Sequence, residues 1–328
     1  MQFAPDIIYN VMLLFIMMIP GVILKKCGLA PEGFGKGLSN LVLYVAQPVL
    51  VFLAYFKDFD INILINSIYV FILSLVAHGI FAAVAIFAFK GAPDNARRML
   101  SFATVFSNAA FMGIPLIAAV LEDTYPGATL YASIYNISFN LFLWTLGVYF
   151  CTGGRDLDNN NVSDHIDEIK NKMSFKKALL HPVTIAAALG LIAFCFSLHT
   201  YLPEIVTESF TMLKNLVAPL SMVVIGLRLA DMKFTGCFTD KYLYVFLALR
   251  HIVLPAIMVG IIKLLSLVGL ALHPAVSAVI VIMAAAPAAT SATMFAEMYS
   301  CDSPYVSRAV TISTLLSILT MPLMTMLL

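Results

Sequence analysis

Long apolar segments separated by short polar loops run along almost the whole chain. The first segment, residues 7–24, contains no charged residue and ends at Lys25 and Lys26. A helix needs about 20 predominantly apolar residues to cross a bilayer, so this pattern predicts ten spans. They lie near residues 7–24, 37–56, 62–89, 99–121, 127–151, 178–199, 209–230, 242–263, 275–296 and 306–327.

The composition excludes most soluble classes of protein. Hydrophobic residues make up 61% of the 328 positions and charged residues only 11%, against roughly 25% charged residues in a soluble domain. A soluble enzyme, a disordered chain and a nucleic-acid-binding protein are therefore excluded, and the lipid bilayer is the first expected partner. The long apolar runs also differ from the alternating strands of an outer-membrane barrel. The pattern predicts an all-α polytopic membrane protein.

No catalytic or metal-binding motif is evident in the sequence. The 5 cysteines form no CxxC pair, so neither a zinc site nor a redox motif is indicated. An HExxH sequence is lacking, as is a pair of aspartates within the spans. We therefore predict no catalytic residue, no metal and no cofactor, and we find no filter sequence of the kind that channels use.

The basic residues predict the orientation of the spans, because cytoplasmic loops are enriched in lysine and arginine. With the N-terminus outside, Lys57 and Lys214 lie in outer loops and fifteen of the 19 basic residues lie on the inner side. These fifteen are Lys25, Lys26, Lys36, Lys90, Arg97, Arg98, Arg155, Lys170, Lys172, Lys176, Lys177, Arg228, Lys233, Lys241 and Arg308. This bias predicts that both termini lie outside.

One polar stretch, residues 152–177, divides the chain into two halves of similar length. It contains ten charged residues and is predicted to be a cytoplasmic linker between a first five-helix repeat, residues 1–151, and a second, residues 178–328. Five spans per half require the second repeat to be inverted, which is typical of secondary transporters. Prolines recur at nearly one offset, in the pairs Pro48 with Pro219 (219 − 48 = 171) and Pro115 with Pro287 (287 − 115 = 172).

Pro115 and Pro287 fall in the middle of the fourth and ninth spans. A proline inside a helix leaves the carbonyl four positions earlier without its donor, and the half-helix that follows has a positive N-terminal end that can bind an anion. Polar residues beside these prolines complete a candidate binding site: Ser107, Asn108, Thr290 and Ser291. A simple kink is the alternative, which we favour for the other mid-span prolines, Pro20, Pro255 and Pro322.

Four segments resemble motifs of the auxin efflux carrier family. Residues 107–116, SNAAFMGIPL, resemble its N-x-x-F/V-x-G-I-P-L segment, and residues 141–147, LFLWTLG, resemble the end of its fifth helix. Pro219-Leu220-Ser221 with residues 226–230, GLRLA, is similar to its seventh helix. Residues 286–290, APAAT, with 296–299, AEMY, are similar to its ninth.

The resemblance implies a ten-helix fold related to bile-acid sodium symporters and sodium/proton antiporters. Helices four and nine would cross at Pro115 and Pro287, and transport helices 3–5 and 8–10 would slide against scaffold helices 1, 2, 6 and 7, which could also pair with a second copy. Asn108 aligns with a substrate-contacting asparagine of the family, and Gly113 belongs to the same motif. The implied substrate is a small organic acid anion, and the bacterial members imply an inner membrane. The short central loop and the absence of the glutamine that follows the ninth-helix proline in plant members argue against auxin itself.

Several polar residues within spans are further candidates. Gln47, Asn136 and Asn140 could contact substrate or join helices by hydrogen bonds. His78 could carry a proton or be a neutral hydrogen-bonded residue, and Arg250 could snorkel to the cytoplasm or pair with an acidic substrate or Glu297.

The distribution of acidic residues bears on the direction of transport. The central third of the spans carries no Asp or Glu, although sodium sites and proton relays in membranes commonly use carboxylates. An exported anion needs no such relay, because an inside-negative potential drives it outward with about 2.3 kcal/mol per charge per 100 mV. Efflux is therefore favoured, and a sodium- or proton-coupled importer of the same fold is the alternative.

Overall fold

The computed structural model of the protein describes residues 4–152, 175–231, 240–299 and 301–327, and these residues are mostly helical. Seven helices are long and apolar enough to cross a bilayer: α1 (Ile7–Lys26), α2 (Phe34–Ala54), α3 (Ile61–Ala88), α6 (Ala128–Thr152), α8 (Glu204–Ala230), α9 (Lys241–Leu267) and α12 (Ser303–Thr325). Shorter helices lie between them: α4 (Asp94–Val105), α5 (Ala109–Val120), α7 (Pro182–Cys195), α10 (Pro274–Ala285) and α11 (Ser291–Met298). The helical turns of α1 begin at Ala4, and short turns at Phe175–Leu179 and Leu198–Tyr201 flank α7.

The prediction of an all-helical membrane protein is confirmed. The predicted segments fall on single helices, except that the fourth falls on α4 and α5 and the ninth on α10 and α11. A 12-residue helix such as α4 or α10 is about 18 Å long, which is too short for a hydrocarbon core of about 30 Å. Two such helices placed end to end are needed to cover that thickness. The predicted linker, residues 152–177, lies outside the described residues except for Thr152 and residues 175–177.

Short polar side chains and prolines set where several helices begin. Asp60, Asp240 and Asp302 each accept a hydrogen bond from a backbone N–H in the first turn of α3, α9 and α12. These carboxylates occupy the N-cap position, where they satisfy donors that have no partner within the helix. Pro182 and Pro274 open α7 and α10, at a position where the missing N–H of proline costs no hydrogen bond.

Two glycines bring α1 and α8 into backbone contact. A Cβ atom added to Gly21 would lie 2.2 Å from the carbonyl oxygen of Val223, and one added to Gly226 would lie 2.0 Å from that of Met18. Small residues permit this close approach, and dispersion contacts between the backbones then hold the helices together. The first helix is therefore packed firmly against the second half of α8.

A third glycine joins α7 to the end of α2. A Cβ atom at Gly190 of α7 would lie 2.6 Å from the ring of Tyr55, which directly follows α2. Tyr55 is fully buried, and its hydroxyl is 2.9 Å from the Ser133 hydroxyl of α6. Helices α1, α2, α7 and α8 thus contact one another in a chain of neighbouring pairs.

Stretches of π-helix precede three of the mid-span prolines. Each ends two positions before its proline: Val42–Ala46 before Pro48, Ala109–Gly113 before Pro115, and Leu249–Val253 before Pro255. A π-helical turn pairs each carbonyl with the N–H five positions later, so the helix can continue although proline lacks the N–H that would bond four positions back. Pro115 therefore lies in a continuous helix, contrary to the expectation that it breaks the fourth span.

The loop between α5 and α6 is held by one carboxylate. Glu122 accepts hydrogen bonds from the backbone N–H groups of Gly127 (3.0 Å) and Thr129 (2.8 Å), and its Oε1 lies 3.0 Å from the Nζ of Lys57. Partial burial alone would raise the pKa of this carboxyl, but the Lys57 charge and the hydrogen bonds outweigh it and hold the pKa below its ordinary value. Glu122 therefore ties the start of α6 to the end of α2 in its ionised form.

Candidate functional site

Two helix breaks meet in the interior of the protein. The chain becomes extended at Phe106, after α4, and at Ala286, after α10. The N–H of Asn108 donates to the carbonyl of Pro287 (2.7 Å), and the N–H of Ala289 donates to the carbonyl of Phe106 (2.8 Å). These bonds form a short antiparallel bridge, and we refer to residues 106–108 and 286–289 together as the crossing.

The crossing is centred on Ser107 and Ala288 rather than on both prolines. Pro287 takes part through its carbonyl, whereas Pro115 lies further along, near the start of the α-helical part of α5. The break after α4 falls at a serine and an asparagine, whose side chains compete with helical hydrogen bonding. The expectation that the fourth helix crosses at Pro115 is therefore corrected.

Arg250 of α9 is bound to the ends of both broken helices. Its Nη1 donates to the carbonyl of Thr104 near the end of α4 (3.1 Å), and its Nη2 donates to Ala284 (3.0 Å) and Ala286 (2.7 Å) at the end of α10. The Nε also donates to Ala286 (3.0 Å). The last carbonyls of a helix have no partner within it and carry partial negative charge, so this guanidinium satisfies both ends at once.

The burial of Arg250 settles two of the earlier alternatives. Its exposed fraction is 0%, so the hypothesis that it snorkels to the water is wrong, and its described hydrogen bonds go to carbonyls rather than to Glu297. Pro255 follows the π-helical stretch that contains Arg250. Pro255, which we interpreted as a simple kink, therefore lies near Arg250, a residue that is bonded to the crossing.

Unpartnered polar atoms surround the crossing. Within the described residues, no hydrogen-bond partner is present for several buried atoms, namely Thr104 Oγ1, Ser107 Oγ, Asn108 Nδ2, Tyr135 OH and His78 Nε2. The hydroxyls of Ser107 and Tyr135 lie near each other without a bond of ordinary geometry, and the His78 ring lies 5.2 Å from that of Tyr135. Buried polar atoms usually have hydrogen-bond partners, so a group of polar atoms without partners at one place indicates a binding site.

Most of the residues predicted for the site lie at or beside the crossing. Gln47 of α2 donates through Nε2 to the carbonyl of Ala110 (3.0 Å), two residues after Asn108. A Cβ atom at Gly113 would lie 2.6 Å from the sulfur of Met283 in α10, so a larger residue here would require the Met283 side chain to move. His78 donates through Nδ1 to the carbonyl of Ser74 (2.7 Å), one turn earlier on its own helix.

Of the residues predicted for the site, Asn140 lies away from the crossing. Thr290 and Ser291 lie at the start of the second half-helix. The Nδ2 of Asn140 is 3.4 Å from the hydroxyl oxygen of Thr184, so this residue joins α6 to α7 and is not in the crossing. Thr290 precedes α11 and offers its carbonyl to Arg228, and the buried Ser291 hydroxyl has no partner among the described residues.

Arg228, which the sequence analysis counted only among the basic residues of the inner side, contacts the start of the second half-helix. It lies in α8, and its Nη1 donates to the Thr290 carbonyl (2.6 Å) and the Thr293 hydroxyl (2.5 Å). A cavity of about 20 Å³ adjoins it, and its lining combines Thr290, Thr293 and Ser307 with the apolar side chains of Ile225, Leu229 and Val310. This volume is enough for one water molecule.

His251 was also missed. Its Nε2 is 2.8 Å from the hydroxyl of Ser313, which accepts a hydrogen bond from the N–H of Ala288 (2.9 Å), and its Nδ1 is 2.8 Å from the hydroxyl of Thr320. The signal in the sequence was the pair Arg250-His251, because adjacent ionisable residues inside a span are rare and functional by default.

Comparison with known proteins gives consistent results. A family model described as Membrane transport protein matches residues 6–325. The chain is 23% identical to an uncharacterized transporter of Methanocaldococcus jannaschii over 95% of this chain and 96% of that protein. It is 24% identical to an uncharacterized transporter of Methanothermobacter thermautotrophicus over 96% of each. A lysosomal cholesterol signaling protein of Mus musculus is 22% identical over 92% of this chain and 35% of its own length.

Proposed function

The chain belongs to the Membrane transport protein family, the auxin efflux carrier family that its motifs resemble, and on that premise we propose that it exports a small organic acid anion by alternating access. It is a membrane transporter and not an enzyme. The observation that carries the choice of substrate is the crossing itself. Neutral donors without partners and a buried cation converge there.

A carboxylate would be held by the donors of the crossing. The Asn108 amide and the Ser107 and Tyr135 hydroxyls can each donate a hydrogen bond to an oxygen anion. Such bonds to charged groups are worth about 1.5–3 kcal/mol each. Arg250 uses its donors on the carbonyls of the two breaks and offsets their partial negative charge, so these carbonyls would not repel the anion. An amide or ester of the same acid would lack the charge on which this arrangement acts.

Movement would divide the molecule into a scaffold of α1, α2, α7 and α8 and a transport unit of the remaining helices. Backbone contact at Gly21 and Gly226 supports a rigid scaffold. Polar contacts across the proposed boundary include hydrogen bonds from Gln47 to the Ala110 carbonyl and from Arg228 to the Thr290 carbonyl and the Thr293 hydroxyl. Hydrogen bonds of this kind can exchange as two units slide past each other, whereas interlocked backbones cannot.

The spacing of equivalent elements supports the proposed inverted repeats, residues 1–151 and 178–328. Helices α3 and α9 begin at Ile61 and Lys241 (241 − 61 = 180), and α4 and α10 begin at Asp94 and Pro274 (274 − 94 = 180). The helix-capping aspartates before α3 and α9 share that offset. With the bias of basic residues, this arrangement supports a cytoplasmic linker and external termini.

The proposal is tested with purified protein and proteoliposomes. Mono- and dicarboxylates are first screened for a rise in thermal stability, since a ligand that binds the folded state stabilises it. The best acid and its amide are then compared in uptake assays. We expect transport of the acid only, and equal transport of both would refute an anion carrier.

A matched pair of variants locates the site. Asn108→Ala should weaken binding of the acid by about 1.5–3 kcal/mol, the value of a hydrogen bond to a charged group. Asn140→Ala removes the same kind of side chain, also buried, but one that contacts α7, so the affinity should hardly change. If Asn140→Ala weakens binding and Asn108→Ala does not, the substrate does not bind at the crossing.

A proton-coupled importer is the second candidate, and His251 favours it. Through Ser313, this histidine is linked to the backbone N–H of Ala288 in the crossing. A proton gained by Nε2 would require the Ser313 hydroxyl to stop donating to it, and so would alter the crossing. Uptake against an imposed pH gradient, with His251→Gln as the variant, distinguishes the candidates, because an exporter driven by membrane potential alone would not respond to the gradient.

A further inference from the structure

A cavity of about 140 Å³ opens between the ends of three helices, away from the crossing. It is lined by Ile86 and Lys90 at the end of α3, by Arg97, Arg98 and Ser101 in the first turns of α4, and by Tyr149 near the end of α6. Because α3 and α6 end here and α4 begins here, the cavity lies at one boundary between membrane and water.

The cavity carries a net positive charge. Lys90, Arg97 and Arg98 contribute three positive charges, and Asp94, which pairs with both arginines, removes one, so that +3 − 1 leaves +2. The N-terminal end of α4 adds partial positive charge. An anionic group is therefore the ligand that the cavity suits.

The mouth of the cavity is bordered by apolar side chains that face outward. Ile86, Phe87 and Tyr149 are 42%, 67% and 40% exposed, and the Nζ of Lys90 lies 4.6 Å from the centre of the Phe87 ring. In a bilayer these side chains contact acyl chains, while the basic groups lie at the level of the headgroups. A small soluble anion would bind to the basic groups without contacting these apolar side chains.

From this combination we infer that the cavity binds the phosphate headgroup of an anionic phospholipid, with the acyl chains against Ile86, Phe87 and Tyr149. Basic residues near a membrane surface attract anionic lipids individually, and here three of them line one cavity. The site is separate from the proposed transport site, so it does not depend on the identity of the carried acid.

The test uses the purified full-length protein in neutral detergent. Dioleoylphosphatidylglycerol and dioleoylphosphatidylcholine are titrated separately, and the rise in unfolding temperature gives an apparent affinity. We expect the anionic lipid to stabilise the wild-type protein more than the zwitterionic lipid. The double variant Lys90→Gln with Arg97→Gln should bind the anionic lipid about 10- to 30-fold more weakly.

The control variant, Lys26→Gln with Lys36→Gln, removes the same charge from two exposed lysines outside the cavity, and its affinity should stay within about twofold of the wild type. Equal stabilisation by both lipids, or an equal loss in the control, would overturn the inference. Should inorganic phosphate alone stabilise the wild type as well as the anionic lipid does, the cavity is a site for soluble phosphate instead. If the double variant does not fold, Lys90→Gln alone should still weaken binding about fivefold, and no loss would count against the site.

Discussion

Replacing Arg250 by methionine is expected to lower the free energy of unfolding by about 3–5 kcal/mol, because it leaves three buried carbonyl groups without their charged donor. Its guanidinium makes four hydrogen bonds to the carbonyls of Thr104, Ala284 and Ala286. At about 1.5–3 kcal/mol for each bond from a charged donor, the four bonds together would contribute more than the expected loss of stability. The cost of burying the guanidinium, which disappears with it, offsets part of that loss.

The measurement is equilibrium unfolding in detergent, compared with two further variants. Arg250→Lys keeps the charge but not the planar fork of donors, so it should lose about half as much stability as Arg250→Met. Lys25→Met breaks a surface pair with Asp231, whose side chains are 38% and 61% exposed, and should cost less than about 1 kcal/mol. If Arg250→Met unfolds no more easily than Lys25→Met, this guanidinium does not hold the two broken helices together.

Three other outcomes are expected. Gly226→Ala should separate α1 from α8 and lower the unfolding temperature, whereas Gly37→Ala, where a Cβ atom meets nothing within 4 Å, should not. The contribution of ionised Glu122 to stability should be fully present above the ordinary pKa of 4.5 and should be lost as the pH falls through the lowered pKa of the folded state. Glu122→Gln should remove this part of the pH dependence of the unfolding temperature. Pro255→Ala should weaken binding of the carried acid in the thermal-shift assay, because an α-helical turn would displace Arg250, and unchanged binding would show that the π-helical stretch is dispensable.

The sequence predicted the helices well and the crossing only in part. Apolar length defines a helix in a membrane because no other open structure satisfies the backbone there, so each predicted segment coincides with a helix or a helix pair. The fourth span breaks at Ser107 and Asn108, directly after α4, and not at Pro115. The π-helical stretch before Pro115 lets the helix continue although proline lacks an N–H.

Contacts between distant helices could not be predicted from the sequence. Nothing local in α9 indicates that Arg250 reaches the ends of α4 and α10, and the count of basic residues gave no sign that Arg228 contacts the start of α11. Proline spacing was also misleading as a guide to the equivalent breaks. Pro115 and Pro287 are 172 positions apart, while the bridged residues Ser107 and Ala288 are 181 apart (288 − 107).

The electrostatics of the crossing explain why a carboxylate suits it without a matching carboxylate in the protein. The C-terminal ends of α4 and α10 each carry roughly half a negative charge, and the single positive charge of Arg250, bonded to both, cancels their sum. The N-terminal ends of α5 and α11, which follow the breaks, each offer roughly half a positive charge that nothing among the described residues of the crossing neutralises. An anion bound beside Asn108 would supply that charge, so that the loaded crossing is close to neutral when it moves through the bilayer.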